Sequence, residues 1–132
     1  MSVTTDRPRE ITSHHDGYGL AESIKVIAMD DPGPGGACHR YGFLVASDAG
    51  ELEEVGYLQF QKGPRNEPGS TPGVLTVAVL AALIDIQEAF DAGPYPSAFG
   101  RLAGANMRSA LELLRMRTDD RANRGVLGVN AK

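Results

Sequence analysis

Arginine is the residue type in this chain with the most chemistry to offer. Arg115, Arg117, Arg121 and Arg124 fall close together near the C-terminus, and Arg101 and Arg108 precede them. On a helix, Arg117, Arg121 and Arg124 stand at i, i+4 and i+7 and share one face. Guanidinium forks so placed match a phosphate or pyrophosphate. The plain alternative is a helix C-terminus, where the dipole favours cations and Asp119 and Asp120 neutralise them. Phe90 is the second candidate. It precedes Gly93-Pro94-Tyr95-Pro96, and a ring beside such a turn can stack a base while arginines hold the phosphates. A core phenylalanine is its plain alternative.

Other chemistries have weaker carriers. His14, His15, Cys38 and His39 are metal-ligand types, but adjacent pairs do not give the spacings that seat two ligands on one ion. Cys38 and His39 invite a thiolate–imidazole reading. In a strand, neighbours point to opposite faces, so that pair needs a distant histidine, and His14 and His15 are the only supply. No GxSxG elbow occurs. The paired carboxylates Asp30-Asp31, Glu53-Glu54 and Asp119-Asp120 are sequence neighbours that read as solvated charges or caps. The glycines at 33–36 do not match a P-loop. They read as a tight turn, with a nest of backbone N–H groups as the alternative. No acid–base pair emerges, and the residues point to binding without catalysis.

Composition narrows the class. The 132 residues suit one domain, and with 42% hydrophobic and 23% charged residues the chain can build a core. The net charge of −4 argues against a general nucleic-acid binder. It hides a split: residues 1–96 carry 6 Lys/Arg against 14 Asp/Glu, and residues 97–132 carry 7 against 3. A basic end on an acidic body suits an anion or another subunit. No apolar run spans a membrane, the N-terminus has no signal-peptide core, and the lone cysteine fits a reducing cytosol.

The elements that must position these residues come in two kinds. Residues 1–19 form a polar, partly mobile arm with an edge strand at Arg9–His15. Residues 20–30, 37–47 and 53–61 alternate as strands, joined by Asp31–Gly36 and by the hairpin turn Asp48-Ala49-Gly50. Residues 62–73 are a Gly/Pro loop, from which Thr71 and Pro72 are placed to start a helix. Residues 74–91 form a helix that is apolar nearly all round, so it requires cover on several sides, a subunit interface included. Ser97 caps a second helix to Asn123, with Gly125 as its stop. Its apolar stripe runs through Phe99, Leu102, Ala103, Asn106, Ala110, Leu113, Leu114 and Arg117, with Arg108, Glu112 and Arg115 at pairing distance elsewhere. Residues 125–132 are a short tail. The whole is an α+β single domain: an antiparallel β-meander at 20–61, then a helical hairpin at 74–124.

Four stretches in this order carry a family resemblance: GGACHRY (35–41), FQKGPRNEPG (60–69), AFDAGPY (89–95) and LELLRMRTDDRANRG (111–125). Together they resemble the phage Thoeris anti-defence proteins of type one. The C-terminal hairpin also resembles the small anti-CBASS cyclic-nucleotide sponge. The resemblance implies a non-enzymatic sponge in the cytoplasm of an infected bacterium, without cofactor or metal. Its ligand would be a cyclic ADP-ribose isomer, with cyclic di- or trinucleotides at a separate site in some members, and it would assemble into dimers and hexamers. By the same resemblance His39 contacts ligand, Phe90 stacks on it, Arg117 and more loosely Arg65 meet its phosphates, and Arg121 and Arg124 serve the second site. Departures fall at Gly100, where the family usually has Asn, and at Leu127 and Val129, which replace a carboxylate and a hydroxyl. They bear on one ribose or phosphate contact and on the second site. A phage structural or interaction protein, or a nucleotide-processing enzyme, are the alternatives to a sponge.

Overall fold

The computed structural model describes residues 8–64 and 66–126. Arg65, Leu127, Val129 and the first seven residues of the expected arm lie outside that set, and so do the roles assigned to them; within residues 8–19 the arm forms β1 at Arg9–Ile11, and Glu22 holds the N–H groups of Asp16, Gly17 and Gly19. The described residues are an α+β arrangement of four antiparallel strands followed by two helices. They divide into two compact units, a sheet unit and a helical-hairpin unit.

In the sheet unit, β1 (Arg9–Ile11), β2 (Ile24–Ala28), β3 (Arg40–Ala46) and β4 (Leu52–Gln59) pair in sequence order. Ile24 opposes Val45 and Val26 opposes Phe43, so β-branched and aromatic residues meet across the ladder. A bulge between Phe43 and Leu44 leaves Val55 as the extra residue of β4. Beyond it, Leu58 is half-buried while Tyr57 is exposed, the alternation that the sequence predicts. Gly50 closes the β3–β4 turn at φ +81°, a conformation that favours glycine.

Strand β1 ends at Ile11, short of the expected His15, and β2 starts at Ile24 behind a 3-10 turn at Ala21–Ser23. Two further boundaries differ from the sequence reading, and both of these differences have a polar cause. Strand β3 starts at Arg40, so Cys38 and His39 precede it. The carboxylate of Asp30 accepts the N–H of His39 and of Arg40 at 3.0 Å, holding the chain in a corner before pairing begins. Helix α1 (Thr76–Ala92) starts at Thr76 behind Leu75, without a side-chain cap. Thr71 is not the cap, because it exchanges backbone hydrogen bonds of 2.7 and 2.9 Å with Lys62. Gly73 then lies against the backbone of Gln59 to Gln61, where no Cβ fits.

The hairpin unit pairs α1 with α2 (Ala98–Asn123). Ser97 caps α2, its hydroxyl accepting the Gly100 N–H at 2.9 Å. At the other end Val126 N donates to Arg121 O and Gly125 N to Ala122 O, with Gly125 at φ +72°, a Schellman stop. The face of α2 that meets α1 also differs from the stripe that the sequence predicts. Gly104 is buried, and Met107, Leu111 and Leu114 are half-buried at the same helical spacing. The predicted stripe lies largely in solvent: Phe99 is 85% exposed and Leu113 is 64% exposed. A side chain at Gly100 would meet Gln87 and Asp91, and one at Gly104 would touch both as well. The absent Cβ atoms let the hydrogen-bonded Gln87–Asp91 pair lie on the backbone of α2. Arg108 ion-pairs with Glu88 of α1, while Arg115 takes Glu112.

Candidate functional site

The sheet unit offers one chemically loaded corner. Partial burial pushes the Asp30 carboxyl up, but the N–H groups of Arg40 and His39 outweigh it and hold the group below its ordinary value. Asp30 therefore stays charged and pins the His39 backbone, whose carbonyl also accepts the Phe60 N–H at 2.6 Å. The His39 imidazole and the Lys62 side chain both lie beside Gly33. A Cβ at Gly33 would come within 3.1 Å of His39 Cε1 and 3.8 Å of the Lys62 Cε. The His39 Nδ1 is buried and has no hydrogen-bond partner among the described residues.

The remaining sheet candidates are occupied. The glycine turn spends its Gly36 N–H on Gly33 O and its Gly33 N–H on Ala37 O, so it is a tight turn and not a phosphate nest. Cys38 is buried. His14 places Nε2 2.7 Å from the Ile24 carbonyl and packs edge-on against His15. Among the described residues, no group of three or more His, Cys, Asp or Glu side chains could hold a metal ion, and no helix is long and apolar enough to cross a membrane.

In the hairpin unit the arginines separate by what they bind. Arg108 and Arg115 are spent on carboxylates, Arg124 donates to Asp120, and Arg121 donates to the Val126 carbonyl. The Arg117 side chain makes no hydrogen bond or ion pair among the described residues. Phe90 is 62% exposed on the last turn of α1, where its carbonyl accepts the Gly93 N–H. These two residues are not brought together within one chain. Gly100 packs on Asp91, so Phe90 is level with the start of α2. Arg117 lies 17 residues further along, roughly 25 Å of helix. His39 belongs to the sheet unit and Phe90 and Arg117 to the hairpin unit.

Two features lay outside the sequence reading. A cleft of about 520 Å³ opens at the far end of the hairpin, lined by Leu75, Val77, Ala78, Leu111, Arg115 and Asp119 among others. The spacing of Gly100 and Gly104, four apart on one helix, was the available signal for close helix packing. The other is Glu22, whose carboxylate accepts the N–H groups of Gly17, Asp16 and Gly19 at 2.5–2.9 Å. Those donors, Gly17 foremost, bring its pKa from 4.5 to about 2. In comparison with known proteins, the chain matches no protein-family model and no curated protein.

Proposed function

We propose that this protein sequesters a cyclic nucleotide signal, a cyclic ADP-ribose isomer foremost, without cleaving it, and that it acts as an anti-defence sponge in a phage-infected bacterial cytoplasm. The observation that carries the reading is Arg117. It alone of the C-terminal arginine cluster keeps its donors unspent among the described residues, and an unspent guanidinium suits a phosphate. Phe90 adds an exposed ring for a base. His39, whose buried Nδ1 has no hydrogen-bond partner among the described residues, adds an imidazole that the resemblance assigns to ligand contact. Sequestration needs affinity and stoichiometry only, since a tight binder lowers free messenger by mass action. Because Phe90 and Arg117 stand at opposite ends of one hairpin, the reading calls for self-association into a dimer or hexamer, with each pocket shared between copies. Arg121 and Arg124 are assigned to a second cyclic-oligonucleotide site by resemblance; both are engaged in the free chain, so binding there has to displace those contacts.

The test is depletion and release. The protein is mixed with a cyclic ADP-ribose isomer, the free messenger is measured, and the mixture is then heat-denatured. Depletion followed by intact recovery supports a sponge. A degraded product assigns an enzyme instead, and no depletion overturns the reading. Phe90→Ala and Arg117→Glu each abolish depletion if the pocket is assigned correctly. The exposed apolar face of α2 favours one second reading, an interaction protein, which the no-depletion outcome would select.

A further inference from the structure

We infer that Phe90 and Phe99 of one chain are the two jaws of a purine clamp at the turn end of the hairpin, with a single base held between the rings. The clamp rests on the sponge reading for its class of ligand. It adds to that reading a second ring, the spacing that sets the slot, and the group that meets the edge of the base.

The register of the hairpin places the two rings. Gly100 faces Asp91 across the helices, since a Cβ there would fall 2.9 Å from Asp91 Oδ1. Phe99 and Phe90 are the residues just before that facing pair. Antiparallel helices turn in opposite senses when viewed from one end, so the residues that precede a facing pair swing to the same side. Glu88 and Arg108 swing to the other side by the same geometry, and their ion pair shows that they meet there. Phe90 and Phe99 are level to within two residues of helical rise, roughly 3 Å. They are 62% and 85% exposed, and neither makes a ring contact among the described residues.

The glycines set the width of the slot. Gly100 and Gly104 present no Cβ to Gln87 and Asp91, so the helix axes approach to the near end of their usual range, about 8 Å. Rings carried on one side of two such axes stand about 7–8 Å apart, twice the contact distance between carbon atoms. That gap is too wide for the rings to cover each other and matches one planar ring stacked on both. A purine, with two fused rings, is long enough to reach both phenylalanines despite their offset. The groups between the two backbones are polar. Gln87 Nε2 donates to Asp91 Oδ1 at 3.1 Å, and Asp91 Oδ2 has no hydrogen bond among the described residues. A carboxylate oxygen accepts the amino group of a base. An apolar side chain from another protein would leave that oxygen desolvated without a donor, so a base is the better occupant.

The test titrates adenosine monophosphate into the full chain and follows it by nuclear magnetic resonance. The purine protons show cross-relaxation to the ring protons of both Phe90 and Phe99, and ribose phosphate, which lacks the base, binds at least ~10-fold more weakly. Phe90→Ala and Phe99→Ala each weaken binding at least ~10-fold with unchanged far-ultraviolet circular dichroism, while Phe99→Tyr keeps the affinity because it keeps a ring. The clamp is overturned if adenosine monophosphate does not bind, if its base contacts Phe90 alone, or if Phe99→Ala binds it as the unsubstituted chain does. Depletion of a cyclic ADP-ribose isomer that survives Phe99→Ala but not Phe90→Ala removes the clamp and leaves the sponge reading standing. A base held between both rings, without messenger depletion, removes the sponge reading and keeps the clamp.

Discussion

The sheet unit and the hairpin unit are held by different physics. In the sheet unit, carboxylates and carbonyls take up backbone N–H groups at each irregular point: Glu22 in the loop before β2, Asp30 at the corner before β3, and the Lys62–Thr71 bridge after β4. Loops fixed this way keep their shape with little buried apolar surface. In the hairpin unit, order comes from side-chain packing along one seam, with Ile84 and Gly104 at its centre. Packing covers only the side it touches, and the opposite stripe of α2 is left in water. The comparison teaches where function can reside: rigid polar corners suit a ligand contact, and an uncovered apolar face suits a partner.

This contrast can be broken or sharpened by substitution. The largest effect is expected at Gly73. Its Cβ would fall on the backbone of Gln59 and Phe60, which cannot step aside as a side chain can, so Gly73→Ala costs at least ~3 kcal/mol in chemical denaturation. A loss below ~1 kcal/mol would mean that backbone fit is not what orders this unit. Ile84→Ala is next, at about 2 kcal/mol, the lower end for a buried isoleucine because the surrounding seam is open enough to relax. An unchanged midpoint would show that the seam does not carry the hairpin. Ser97→Ala removes the cap of α2 and costs about 1 kcal/mol, read as an earlier loss of helical signal on heating.

The smallest effect on global stability, but the clearest local one, belongs to Glu22. Its folded pKa of about 2 lies below the ordinary 4.5, so the contribution of the ionised form is fully present above the ordinary value. That contribution is lost as pH falls toward about 2. A carboxyl resonance titrating near 4.5 would show that the cradle of N–H groups is not formed. Glu22→Gln keeps the shape and removes the charge; faster amide exchange at Gly17 and Gly19, with the melting point nearly unmoved, is the expected outcome.

Much of the fold was legible because local patterns carry it. Period-two alternation placed β2, β3 and β4, and Gly50, Ser97 and Gly125 marked a turn, a cap and a stop that local stereochemistry enforces. The α1 boundary was misplaced because Thr71, a good cap by type, is claimed by a backbone bridge to Lys62. The working face of α2 was misread for a similar reason. Its sequence carries two stripes of helical spacing, and apolar size favoured the one through Phe99 and Leu113. Close approach by α1 chose the one with Gly100 and Gly104, where backbones can touch.

The candidate site divides along the same line. Residue type and spacing alone singled out Phe90, Arg117 and His39, since a ring, a guanidinium and an imidazole announce their chemistry wherever they stand. Which arginines are already spent, that the His39 Nδ1 is buried without a partner among the described residues, and that Phe90 and Arg117 lie some 25 Å of helix apart were decided by tertiary structure. Pairing and burial are set by neighbours distant in the chain, such as Glu88 for Arg108 or Gly33 for His39, and a linear pattern does not encode which of several possible neighbours arrives.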